Sequence, residues 1–294
     1  MKPFDVTLLT YEKQPELTPD DQLLQQALER KGVRVRVSPW SDASTVWGNS
    51  TVTMFRSTWD YFHRTTEFEG WLRRVEQSTS LVNDCDLVRW NMHKRYIADI
   101  ERRGVAVVPT IFLKRKEPQD LMEVCRSRGW SEIVIKPCVA GSAFGARKFK
   151  LGGAADEACS YLKELVLERD TMIQPFMNEV ESAGERSLVF IDGGFSHAAR
   201  KAPFSAGPAG GQSLETVHHA DAEEIAFGRR VLDTLPSEPV YARVDIVPAE
   251  GRMLVMEVEL IEPVLFFRFA PLAADALAEV LVRKLKKEDS QLDL

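Results

Sequence analysis

Alternating and clustered apolar positions divide the chain into a succession of short strands and helices. FDVTLLT (4–10) has the β-branched, apolar make-up of a strand. TPDD (18–21) marks a helix start, with Thr18 as N-cap, Pro19 in the first turn and Asp21 three residues after the cap. Leu23, Leu24, Ala27 and Leu28 form its apolar face, and Gly32 ends it. VRVRV (33–37) and TVTMF (51–55) are further strands, followed by a helix around 67–77. This β-α-β-β-α order predicts a small open α/β domain over residues 1–85.

The remainder, 86–294, mixes hairpins with helices. The pattern predicts a helix over 89–103, a strand-like VAVVPTIFL (105–113), a helix over 118–129 and a strand EIVIKP (132–137). RKFKL (147–151) returns as a strand, 154–168 is helical, and TMIQPFM (171–177) is a strand leading into an acidic loop. SLVFIDGGFSHAARKA (187–202) reads as a hairpin turning at Asp192-Gly193-Gly194, and FSAGPAGGQS (204–213) as a flexible stretch. A helix over 221–235, a second hairpin turning in PAEGR (248–252) and a terminal helix over 272–287 complete the chain. The expected class is α/β (α+β).

The second hairpin carries three carboxylates, Asp245 in ARVDIV and Glu257 and Glu259 in LVMEVEL. Alternation places Glu257 and Glu259 on one face of their strand, together with Val255 and Ile261. A turn near Gly251 sets Asp245 almost opposite Glu257, and cross-strand neighbours lie roughly 4.5–5.5 Å apart. Three negative charges that close in a half-buried sheet repel one another. A divalent cation relieves this, and oxygen ligands suit Mg²⁺ or Mn²⁺. An edge strand with solvated acids is the alternative.

Composition narrows the partners. The 294 residues are 44% hydrophobic and 28% charged, as in ordinary folded proteins. A net charge of −6 without a basic stripe argues against nucleic acid. Four scattered cysteines with no C-x-x-C pair point to reduced thiols in a cytoplasmic setting. No apolar run approaches a membrane span or a signal peptide. His63, His93, His197, His218 and His219 lack metal-ligand spacing.

AGSAFGA (140–146) is a small-residue loop between two strands. It has no G-K-[ST] and no G-x-G-x-x-G, so it is neither a Walker A loop nor a dinucleotide fingerprint. Such a turn can still cover phosphates with its backbone N–H groups. Lys136 ends the strand before it, and Lys94 lies on the earlier predicted helix. Two lysines, a glycine loop and a downstream acidic site together suggest Mg²⁺ and a nucleoside triphosphate. RSTWDYFHR (56–64) packs an arginine, hydroxyls, aromatics and an acid beyond the end of a strand, where open α/β sheets bind ligands, and is expected to be a substrate loop. A surface loop with Trp59 and Tyr61 docked for packing is the alternative.

The order WNMHKRYI (90–97), EIVIKPCVAGSAFGA (132–146), MIQPFM (172–177), GERSLVFIDGGFSHAARK (184–201), ARVDIV (242–247) and MEVELIEP (256–263) resembles the ATP-grasp superfamily, in the branch that includes bacterial glutathione synthetase. The resemblance implies an N-terminal open α/β domain followed by two α+β subdomains that clasp ATP, the lid-like one at about 106–175. It implies phosphate contacts from Lys94 and Lys136, and a mobile cover from Gly141, Ser142 and Gly145. Gln174, Pro175, Phe176 and Met177 match the hinge that holds adenine, and Glu179 or Glu185 would hold the ribose. Arg200, with Lys201, matches the cation that stabilises the transferred phosphate. Asp245, Glu257 and Glu259 match a two-magnesium cradle, with Glu259 where the family usually has asparagine.

The implied chemistry is ATP-dependent activation of a carboxylate as an acylphosphate, followed by attack of a nitrogen nucleophile. RSTWDYFHR with VRWNMHKRY is similar to a subgroup that includes the O-ureido-D-serine cyclo-ligase of cycloserine biosynthesis. On that likeness Arg56, Ser57, Thr58, Trp59, Asp60 and Tyr61 shape an amino-acid pocket, with Glu262 or Arg243 touching substrate. An intermolecular amino-acid ligase and a non-catalytic ATP-binding module stay open beside the cyclo-ligase. The family likeness also implies a homodimer or homotetramer.

Overall fold

A computed structural model of the chain describes residues 2–141, 143–201, 215–249 and 251–292. The first sheet is built from β1 (Phe4–Thr10), α1 (Pro19–Arg30), β2 (Val35–Pro39), β3 (Ser50–Phe55), α2 (Thr65–Val75) and β4 (Ser80–Val82). Its four strands are parallel in the order β2-β1-β3-β4. Thr18 caps α1 as expected: its hydroxyl accepts from the Asp21 backbone N–H at 3.1 Å. β4 has only three residues, too few for periodicity to reveal it.

A connecting pair, α3 (Cys85–Met92) and α4 (Tyr96–Arg102), stands where one helix over 89–103 was expected. The break falls at His93–Arg95 because the Lys94 N–H leaves the helical ladder and donates to the Cys138 carbonyl at 2.8 Å. Lys94 therefore projects from a junction and not from a helix.

The second sheet comprises β5 (Ile111–Leu113), α5 (Leu121–Arg128), β6 (Glu132–Pro137), β7 (Arg147–Lys150), α6 (Leu151–Glu168) and β8 (Thr171–Pro175). Its strands run antiparallel in the order β5-β8-β6-β7. Leu121, Cys125, Leu162 and Val166 of its helices bury against Ile133, Ile135 and Ile173. Of the stretch 105–113 only 111–113 is a strand. Ala106–Val108 instead docks along the third sheet through a bridge between Val107 and Val255.

The third sheet follows as α7 (Asn178–Ala183), β9 (Glu185–Ile191), β10 (Gly194–Lys201), β11 (Glu215–His218), α8 (Ala222–Leu232), β12 (Tyr241–Ala249), β13 (Arg252–Glu259) and α9 (Pro271–Leu292). The strand order is β11-β10-β9-β12-β13, all antiparallel. The acidic stretch after β8 is helix α7, not a loop. The β9–β10 hairpin turns on Asp192 and Gly193, both with positive φ (51° and 73°), the two-residue turn that suits strand twist. The stretch 204–213 lies outside the described residues.

The first and third sheets share one core. Val6, Leu8 and Met54 pack with Val189, Tyr241, Leu277 and Leu281, so α9 covers the first sheet as well as the third. Buried polar side chains fix the junction. Asn83 donates to the carbonyls of Tyr241 (2.9 Å) and Leu260 (2.8 Å) and accepts from the Val240 N–H (2.7 Å). Asn91 exchanges bonds with Val258 and Leu260, and the Tyr241 hydroxyl donates to the Ile261 carbonyl at 2.7 Å. These bonds bring the carboxyl end of the first sheet against the end of the acidic hairpin. No helix among the described residues is long and apolar enough to cross a membrane.

Candidate active site

A cleft of about 670 Å³ opens where the three sheets meet, a size suited to a small-molecule site. Trp59 and Tyr61 line it from the first sheet, and Lys136, Gly141, Phe144 and Gln174 to Met177 from the second. Glu185, Lys201, Arg243, Glu257, Glu259 and Glu262 come from the third sheet and its sequel, and Lys94 from the α3–α4 junction.

Asp245 and Glu257 are direct cross-strand partners, as the hairpin pattern predicts, and Arg243 faces Glu259 in the same ladder. A bulge after Asp245 shifts the register, so Ile246 pairs with Val255 and Met256 is the extra residue. Val255 consequently turns into the core with Val244 and Val258, and does not share the acid face. Among the described residues no three His, Cys, Asp or Glu side chains converge on one point as a metal shell would need. Basic groups separate the acids instead. Arg243 donates to both Asp245 oxygens (2.9 and 2.8 Å) and pairs with Glu259. Lys201 reaches Asp245 and Glu185, each at 2.7 Å, and Lys94 pairs with Glu257. Burial alone would raise the Asp245 carboxyl, but Arg243 and Lys201 outweigh it and hold the group well below the usual carboxylate range. The donor set fits a hard divalent cation chemically, provided Arg243 or Lys201 swings off Asp245.

The lysines are placed for polyanions. Burial, reinforced by the charge of Lys94, brings Lys136 down to about 8. Burial also lowers Lys94, against the pull of Glu259 and Glu262. Lys201 is held above its ordinary range: burial and Arg243 oppose its charge, and Asp245 and Glu185 outweigh them. Arg200 parts company with Lys201. The two lie on opposite faces of β10, and a bulge between Phe195 and His197 resets which positions face the cleft. Arg200 is exposed and packs over Gly184 outside the cleft, so the cation beside Asp245 is Lys201.

The loop before β7 closes against the first sheet. A Cβ on Gly141 would meet the Phe62 ring at 2.9 Å, so only glycine allows this approach. Phe144 lies 5.6 Å from the Phe62 ring and 4.5 Å from His63. The Gly145 carbonyl accepts from the Tyr161 hydroxyl at 2.6 Å. Ser142 lies outside the described residues. In the hinge, Gln174 is buried and donates to Thr110 at 2.9 Å, and the Lys148 ammonium sits 3.2 Å above the Phe176 ring. Of the two acids considered for ribose, Glu185 lines the cleft and Glu179 stands on α7, off its wall.

Only part of the expected substrate loop faces the cleft. Arg56 is fully buried, paired with Asp21 at 2.7 Å and donating to the Pro263 carbonyl at 2.8 Å, which makes it a fastener between sheets. Asp60 accepts from Trp40 at 2.6 Å and pairs with Arg64. Ser57 and Thr58 are fully buried, and neither hydroxyl has a hydrogen-bond partner among the described residues. Trp59 and Tyr61 are the residues of this stretch that line the cleft, Tyr61 with its ring packed on Phe62 and Phe68. Trp59 donates to the Glu262 carbonyl at 3.1 Å, and the Tyr61 hydroxyl lies close to the Glu262 carboxyl. Burial first, then Glu259, push Glu262 up to about 8. Phe144, Tyr96 and Met256 also line the cleft; they lie within the quoted motifs, but sequence alone does not single them out.

Residues 6–83 match the family model described as the N-terminal domain of D-cycloserine synthetase DcsG. The cycloserine biosynthesis protein DcsG of Streptomyces lavendulae is 29% identical over 280 residues, covering 90% of this chain and 93% of that protein. The crystal structure of D-cycloserine synthetase DcsG superposes with a TM-score of 0.87 at 27% identity, covering 95% of this chain and 99% of that one. D-alanine–D-alanine ligase from Bacillus anthracis shares the fold at a TM-score of 0.66 and 17% identity, covering 98% and 99%. The chain has the ATP-grasp fold, is similar along nearly its whole length to D-cycloserine synthetase, and is an ATP-dependent ligase.

Proposed function

We propose that the enzyme activates the carboxylate of an amino acid as an acylphosphate and closes a ring on it, with O-ureido-D-serine as substrate and D-cycloserine as eventual product. The observation that carries this reading is the shared cleft: phosphate-type lysines, Glu257 and Glu259 of the acidic hairpin, and an aromatic wall from the first sheet open onto one cavity. Likeness to D-cycloserine synthetase over nearly the whole chain supports the ring closure.

In this reading Lys94 and Lys136 contact the phosphates, and Gly141 and Gly145 cover them through the backbone. Gln174 to Met177 hold adenine, and Glu185 the ribose. Asp245, Glu257 and Glu259 hold the divalent metal, Mg²⁺ or Mn²⁺, which supplies neutralisation of phosphate charge. A substrate carboxylate oxygen attacks the γ-phosphorus in line, and the bond to ADP breaks. Lys201 and Arg243, one of which leaves Asp245 when the metal binds, are placed to stabilise the charge that develops on the transferred group. The ureido nitrogen next to oxygen then attacks the acyl carbon, phosphate leaves and the nitrogen loses its proton. Nucleophile and electrophile belong to one molecule, so holding it folded contributes most of the remaining advantage. Water then hydrolyses the bond between the ring nitrogen and the carbamoyl carbon, giving the ring N–H and carbamate, which breaks down to CO₂ and ammonia, and this completes the product.

The test is Mg²⁺-dependent phosphate release with O-ureido-D-serine and with a panel of amino acids, with and without hydroxylamine as a trap. Turnover of ureido-serine alone is expected. Turnover only when two amino acids are mixed would make the enzyme an intermolecular ligase. ATP binding without turnover on any candidate would favour a nucleotide-binding module.

A further inference from the structure

Glu262 differs from every other acid that lines the cleft. Glu185, Glu215, Glu257 and Glu259 each form an ion pair with a lysine or arginine. Among the described residues Glu262 forms none, and its carboxyl is met by the Tyr61 hydroxyl. Its position is built from three directions. Trp59 of the first sheet holds its carbonyl, Gly141 of the second approaches so closely that a Cβ would stand 3.5 Å from Oε1, and the acidic hairpin delivers it three residues after Glu259. Lys94 and Arg243 lie near enough to act on it through space but are themselves bonded to Glu257, Asp245 and Glu259.

A carboxyl group with no ion-pair partner among the described residues, facing a cavity and flanked by two cations held on other acids, complements a zwitterion, because an incoming ammonium draws it into its ionised form. The ammonium and carboxylate of an α-amino acid are separated by a single carbon. An ammonium on Glu262 therefore turns the carboxylate toward the cationic side of the cleft. We propose, on the basis of the amino-acid ligase reading above, that Glu262 is the specificity-determining residue that takes the substrate's α-ammonium group, with Tyr61 positioning its carboxyl. The pair selects amine-bearing carboxylic acids and orients them for activation. Gly141 connects this selection to the loop that covers the phosphates, since the same residue walls both subsites.

The experiment compares amine-bearing acids with their des-amino counterparts, by phosphate release and by calorimetric binding in the presence of a non-hydrolysable ATP analogue. The proteins are wild type, Glu262→Gln and Tyr61→Phe; the last removes one hydroxyl and guards against a folding defect. Wild type is expected to prefer the amine by about 30-fold or more. Glu262→Gln should erase most of that preference, raising KM for the amino acid far more than KM for ATP, and Tyr61→Phe should reduce it in part. Equal use of amine-bearing and des-amino acids by wild type would overturn the assignment, as would a preference that survives Glu262→Gln. Binding of no amine-bearing acid at all would also overturn it. If wild type ignores ureido-serine but binds another amino acid through Glu262, the assignment stands and the cyclo-ligase reading falls. If ureido-serine turns over equally well in Glu262→Gln, the reverse holds.

Discussion

Lys136 ends β6 with its ammonium buried and Lys94 close by, which brings it to about 8 in the free protein. It is charged below that pH and neutral above it, while a bound polyphosphate favours the charged form. ATP affinity should therefore be flat at low pH and weaken above about pH 8, approaching tenfold per unit. Calorimetric titration from about pH 6.5 to about 9.5 checks this, and Lys136→Arg should remove the inflection. Lys201→Ala leaves Glu185 and Asp245 facing each other with one cation fewer, and kcat should fall about 100-fold or more. Arg200→Ala, on the exposed face of the same strand, should stay within about threefold. Sequence order alone could not choose between these neighbours. Strand parity decides which of them faces the cleft, and the bulge between Phe195 and His197 resets that parity. The same limit applies to Arg56. A buried arginine bonded to Asp21 and the Pro263 carbonyl reads, in one dimension, like a ligand-binding one. Asp245 opposite Glu257 was legible because a turn and a period of two suffice to place them; Val255 was not, because the bulge intervenes.

The loop between β6 and β7 illustrates what an element contributes beyond its residues. Its small residues announce a turn that can approach a ligand, but its docking on Phe62 depends on a contact between sheets. Gly141→Ala places a methyl 2.9 Å from that ring. Relieving the overlap should cost about 1–3 kcal/mol and lower kcat/KM by roughly 5- to 100-fold, with the fold retained by circular dichroism. The α3–α4 break was illegible for a related reason. Helical periodicity runs through 89–103, and only the distant Cys138 carbonyl draws the Lys94 N–H out of the ladder. Asn83, at the end of β4, satisfies two carbonyls and one N–H of the third sheet. Asn83→Ala strands those groups without solvent, and a loss of about 2–4 kcal/mol in denaturant unfolding is expected.

The molecule as a whole is less divisible than its three sheets suggest. Val6, Leu8 and Met54 share their core with Tyr241, Leu277 and Leu281, and α1 packs on α9. A calorimetric scan should accordingly show the first and third sheets unfolding in one transition. Separate melting of the first sheet would contradict this. The covering of β1 and β3 by α9 also has a meaning in time. A ribosome adding about 5–20 residues per second delivers the first sheet's strands on the order of tens of seconds before the helix that shields them. During that interval Val6, Leu8, Val52 and Met54 lack their final cover. The core of the first sheet therefore waits on α9, and until that helix arrives Val6, Leu8, Val52 and Met54 are a target for a holding chaperone that binds nascent apolar strands.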